Sequence, residues 1–130
     1  MHGHFYGTLK SEVLNYLQSG QDVVMDIDVQ GATSVRSCKD STILSSLVDL
    51  FITPKDEIEL RQRLENRQTD DPAVIEKRVK NSLAEMAECD KYTYLLVSTD
   101  KETDYRAFSS LLFSERLRQS RLTSTQPSLT

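Results

Sequence analysis

An α/β protein with a parallel sheet in a three-layer arrangement is what the sequence predicts, on three observations. Three short apolar runs, in DVVMDI, LVDLFI and YTYLLV, have the length and composition of strands clothed on both faces. Segments of helical period separate them, and strands alternating with helices make right-handed crossovers. The first and third runs end on polar groups, Asp26/Asp28 and Ser98/Thr99, which that topology brings to one sheet edge, where such sheets bind ligands.

In chain order, MHGHFYGT reads as an edge strand or loop. Thr8 is placed to cap a helix through LKSEVLNYLQ, with Val13, Leu14 and Leu17 on its apolar side and Ser19-Gly20 ending it. The strand in DVVMDIDVQG follows, then the start of a helix from Ala32 to Cys38 and a second strand centred on Val48 to Ile52. In TPKDEIELRQRLENR, Thr53 reads as a cap, Pro54 as the first helical residue, with acids early and arginines late. Asp71 caps a longer helix from Pro72 to about Glu88, striped by Ile75, Val79, Leu83 and Met86. YTYLLVS forms the third strand and a last helix spans about Glu102 to Gln119. Residues 120–130 are expected to be a disordered tail.

The chain's 130 residues, 38% of them apolar, suffice for one modest core. Its 16 Lys/Arg are interleaved with 20 Asp/Glu for a net charge of -4, which argues against a nucleic-acid footprint. Cys38 and Cys89 lack metal-site spacing, and His2 and His4 have no partner cluster. With no membrane-length apolar stretch and no signal-peptide pattern at the start, a cytoplasmic protein is expected.

Asp26 and Asp28, alternate residues at a strand end, point the same way. They suit a nucleobase, a sugar or the water on a magnesium ion; the plainer alternative is a helix cap with a salt bridge. Arg63 and Arg67 fall one helical turn apart and Arg78 begins the next helix. Planar guanidinium forks follow the equatorial oxygens of a transferring phosphoryl group; the alternative is a solvated face, given Glu59, Glu65, Asp70, Asp71 and Glu76 nearby. Tyr6 and Thr8 flank Gly7 as hydroxyls suited to a phosphate, or as an edge aromatic beside a cap. No GxxxxGK[ST] loop occurs in these residues, and no serine or cysteine has a recognisable histidine partner.

HGHFYGT, VVMDIDVQGA, FITP, RQRLENRQTDDPAVIEKR and YTYLLVSTD fall in the order and near-spacing of guanylate kinases, which the chain resembles over nearly all its length before the tail. The resemblance implies transfer of the ATP γ-phosphoryl group to GMP, with Mg2+ accompanying ATP, on a P-loop kinase core with a helical lid. It implies that Tyr6 and Thr8 bind the GMP phosphate, that Asp28, supported by Asp26, contacts GMP beside the reaction centre, and that Gln30 and Gly31 continue that loop. Arg63, Arg67 and Arg78 correspond to the lid arginines that hold ATP phosphates, and Ser98 stands where the family carries an asparagine toward adenine. Asn66 and Gln68 replace lid glycines, and the link between DIDVQG and FITP is about five residues longer than the family pattern.

The same resemblance places the P-loop, and the strand before it, outside these residues. The expected fold is therefore an incomplete three-layer parallel-sheet P-loop kinase core: residues 1–8 a remnant of the GMP-binding region, 9–119 a partial core with a lid at about 60–80, and 120–130 the tail. An incomplete core predicts unpaired sheet edges, met by self-association, by a rearranged sheet, or by a longer gene product. The alternative to a kinase is an inactive nucleotide-binding or protein-interaction remnant.

Overall fold

The structure is a computed structural model that describes residues 7–67 and 71–121. It consists of α1 (Gly7–Gln18), α2 (Val29–Ser37), α3 (Ser41–Ser46), β1 (Leu50–Thr53), α4 (Glu57–Asn66), α5 (Pro72–Met86), β2 (Tyr94–Val97) and α6 (Lys101–Arg116), with short 3-10 turns at Cys89–Lys91 and Gln119–Arg121. Two compact units divide it. One is Met1–Phe51 with Lys80–Leu95; the other is Ile52–Val79 with Leu96–Thr130.

Aspartates start every helix after the first. Asp28, Asp40, Asp56 and Asp100 each accept the backbone N–H three residues on, at the heads of α2, α3, α4 and α6, and Asp71 accepts from Val74 N at 3.0 Å at the head of α5. Each satisfies a donor that the first helical turn leaves without an internal partner. Gly20 ends α1 in the left-handed region, φ 84°. Its N–H donates to Leu17 O and that of Gln21 to Tyr16 O, a paired closure that glycine adopts without a Cβ clash.

In the first unit Val13 of α1, Val35 of α2 and Ile43 of α3 form a buried cluster, flanked by Leu9, Leu14, Leu17, Val23, Met25, Cys38 and Leu47. In the second unit Leu60 of α4 and Val79 of α5 are the buried apolar residues, joined by the buried polar Thr53, Ser98 and Glu115.

The expected three-layer parallel-sheet P-loop kinase core is not what forms. Among the described residues the fold is mostly helical, with a sheet of two strands, β1 and β2. Tyr94 N donates to Asp49 O and Ser98 N to Thr53 O; both partners advance four residues in the same direction, so the pairing is parallel. Among the described residues Val23–Ile27, the first predicted strand, belongs to no ladder. Its composition is that of a strand, but a strand exists only where a neighbour takes its backbone N–H and C=O groups. Val24 and Ile27 are exposed at 67% and 42%, where a clothed strand would bury them.

Smaller differences have local causes. Thr53 ends β1, and Asp56 rather than Thr53 caps α4, so Pro54 precedes the helix. SerThrIleLeuSerSer forms α3, because Asp40 caps it and Ile43 finds the α1–α2 groove. Thr8 lies within α1, which begins at Gly7. The expected tail disorder falls, beyond Arg121, outside the described residues.

Candidate functional site

The residues singled out in the sequence divide between the two units. Asp26, Asp28, Gln30 and Gly31 lie in the first; Arg63, Arg67, Arg78 and Ser98 lie in the second. Tyr6 and the side chain of Thr8 fall outside the described residues.

In the first unit Asp26 and Asp28 are exposed, just before α2. Asp28 adopts an extended backbone and its Oδ1 accepts from Gly31 N at 2.7 Å, while Ala32 N donates to Asp28 O at 2.9 Å. The carboxylate thus sits at the positive end of α2, which stabilises negative charge there. Gly31 allows this turn to close: a Cβ at that position would lie 3.1 Å from Ile27 Cβ and 3.2 Å from Asp28 Oδ1. Gln30 is exposed in the first turn of α2.

The second unit holds a connected polar network around Arg63 on α4. Its Nη2 donates to Glu59 Oε1 at 2.6 Å and to the Ser98 carbonyl at 3.3 Å, and its Nη1 donates to Ser98 Oγ at 3.2 Å. Ser98, just past β2 and buried, donates its hydroxyl to Asp104 Oδ2 at 2.6 Å. The second Asp104 oxygen accepts from Thr99 N at 3.0 Å. The Arg63 side chain remains 37% exposed, so it is held in place without being fully enclosed.

Arg67 follows α4 as its C-terminal cap and is exposed, and Arg78 is exposed on α5. The one-face placement expected for Arg63 and Arg67 stops short of a continuous helix, which ends at Asn66. The charged-face alternative describes Arg61 instead. Its Nη1 and Nη2 donate to Glu76 Oε2 and Oε1 at 2.6 and 3.3 Å, tying α4 to α5. Hydrogen bonding and charge from Glu76 raise the Arg61 pKa, and Arg61 lowers that of Glu76 by the same two interactions.

Sequence reasoning missed Asp104, and it named Glu59 only among the acids of a solvated face. Glu59 had a signal, an acid one turn before Arg63. Asp104 had a weaker one, an acid in the first turn of the helix that follows Ser98.

The described residues include no cluster of three or more His, Cys, Asp or Glu able to hold a metal ion. Nor does any described helix have the length and apolarity to cross a membrane.

The guanylate kinase family model matches residues 1–115. A guanylate kinase of Brucella melitensis is 38% identical over 121 residues, 93% of this chain and 53% of that protein. One from Campylobacter jejuni is 36% identical over 118 residues, 91% of this chain and 56% of its own length, and one from Thermotoga maritima is 35% identical over 121 residues, 93% and 56% respectively. The chain spans about half the length of the curated relatives it matches.

Proposed function

Because the chain belongs to the guanylate kinase family, we propose that it serves the transfer of the ATP γ-phosphoryl group to GMP, giving ADP and GDP. The observation that carries this reading is the family match over residues 1–115, which takes in both the GHFYGT and DIDVQG segments. Tyr6, Thr8, Asp26, Asp28, Gln30 and Gly31 are assigned to GMP, with Asp28 beside the reacting phosphate. Arg63, Arg67, Arg78 and Ser98 are assigned to the ATP side.

The chemistry asks little of a protein base, because the acceptor is already a phosphate oxygen. Catalysis then rests on holding two phosphate chains in line and on offsetting charge that spreads over the equatorial oxygens. A guanidinium fork held by Glu59 and Ser98 supports such a role for Arg63, since its orientation is set before substrate arrives. Magnesium would come with ATP and would supply charge neutralisation at its phosphates. Asp26 and Asp28 are the carboxylates assigned to the GMP side, where they could accept hydrogen bonds from the nucleotide or from water on the ion.

A second reading is a nucleotide-binding or interaction remnant of the same family. Self-association that covers Val24 and Ile27 fits either reading.

Chromatographic measurement of ADP and GDP formed from ATP, Mg2+ and GMP separates the two. Turnover that scales with this chain, and that falls by about tenfold or more in Arg63→Ala, supports the kinase. Asp28→Asn should lower turnover strongly as well. GMP binding without turnover favours the remnant, and turnover indifferent to both substitutions overturns the site assignment.

A further inference from the structure

We propose that Ser98 and Asp104 act as a positioning relay for Arg63, so that Ser98 serves the phosphate side of the nucleotide through Arg63 rather than by touching the base. The proposal deepens the phosphate assignment of Arg63 and rests on it.

Hydrogen-bond chemistry dictates the direction of the relay. A guanidinium only donates and a carboxylate accepts, so the Ser98 oxygen between them receives a hydrogen from Arg63 Nη1 at 3.2 Å and gives its own to Asp104 Oδ2 at 2.6 Å. The single hydroxyl hydrogen is thereby committed inside the protein. Ser98 is only 8% exposed, which also keeps it from a base. Its carbonyl takes a second contact from the same guanidinium at 3.3 Å.

Asp104 holds the other end in two ways. One oxygen fixes the serine hydroxyl and the other accepts from Thr99 N at 3.0 Å, so the carboxylate locks the backbone just past β2 together with the Ser98 rotamer. Asp104 lies in the first turn of α6, whose own cap is Asp100, so it is not needed to start the helix. Glu59 grips Arg63 Nη2 from within α4. That grip alone would leave the fork able to swing about one bond. The Ser98 contacts supply the second point that sets its plane.

The test compares inorganic tripolyphosphate, ATP and adenosine by calorimetric titration of the full 130-residue chain, in the parent and in Ser98→Ala, Asp104→Ala, Asp104→Asn and the Ser98→Ala/Asp104→Ala pair. The relay predicts that each alanine variant loses about fivefold in affinity for tripolyphosphate and for ATP alike, with adenosine unaffected. The double variant loses no more than either single one, because both remove the same link. Asp104→Asn, which keeps a carbonyl acceptor, retains most of the parent affinity and guards against a simple folding defect. A loss confined to ATP would mean that Ser98 meets the base, and the relay would be overturned.

Nitrogen-15 NMR of the Arg63 guanidinium reads positioning without any ligand. Its Nη signals should broaden in both alanine variants through faster rotation, and unchanged signals would overturn the relay. If Arg63→Ala binds tripolyphosphate as the parent does, the phosphate assignment fails while the NMR result still judges the relay.

Discussion

Asp49 shows how one carboxylate can organise its neighbourhood. Its Oδ2 lies 2.6 Å from Arg36 Nη1, and its Oδ1 accepts from Thr93 N at 2.8 Å and Thr93 Oγ1 at 2.7 Å. The Arg36 guanidinium also stacks over the Tyr92 ring, 4.7 Å from its centroid. Burial pushes the Asp49 pKa up, but the Thr93 hydrogen bonds and Arg36 outweigh it and leave the carboxyl below its usual 3.8. The folded state therefore binds this proton less readily than the unfolded chain does. Stability from Asp49 is present above the unfolded pKa and disappears as pH falls through the depressed folded value, below about pH 4. Asp49→Ala should cost about 2 kcal/mol near neutral pH, since Arg36 loses its anion, and should flatten the acid limb of a urea-stability profile. An acid limb unchanged by the substitution would remove Asp49 from this role.

The Asp28 carboxylate carries a similar lesson about pattern and function. The cap and the GMP contact were alternatives in the sequence, and the structure supplies the cap directly through Gly31 N. Capping holds the side chain at the head of α2 and so sets where the proposed contact would be made.

Among the elements, α3 is the least expected and the most instructive. Six residues are too few for a helix to persist alone, so tertiary contact must supply its stability. Ile43, 4% exposed against Val13 and Val35, is that contact. Ile43→Ala should destabilise the chain by about 3 kcal/mol in urea denaturation, through lost burial and the cavity left behind. A loss below about 1 kcal/mol would show that α3 is held otherwise. The α4–α5 pair depends on Arg61 and Glu76 in a different sense: both are exposed, so salt should screen their attraction.

Across the molecule, order is unevenly distributed. Among the described residues the buried apolar side chains are few, with Val79 the most enclosed at 1% exposure, and Val23–Ile27 joins no ladder. Hydrogen exchange should accordingly be faster at the Val23–Ile27 amides than at Tyr94 and Ser98, whose N–H groups donate to Asp49 and Thr53. Equal protection at both places in dilute solution would mean that the run is paired after all. Protection that appears only as concentration rises would support self-association through that run.

Several individual elements were legible along the chain because their cause is local, though the three-layer architecture expected of them was not what formed. The helix from Pro72 behind Asp71, the run at Tyr94–Val97 and the stop at Gly20 follow from caps, period and a backbone that only glycine enters without a Cβ clash. Family membership was legible too, since ordered motifs are a property of sequence alone. Whether an apolar run becomes a strand was not, because backbone pairing belongs to two segments at once and Val23–Ile27 has no such partner among the described residues. Nor could the chain's order place Asp104 behind Ser98 and Ser98 behind Arg63. Residues 63 and 98 meet only when α4 and the end of β2 are brought together by folding, and that meeting decides which way a single hydroxyl points.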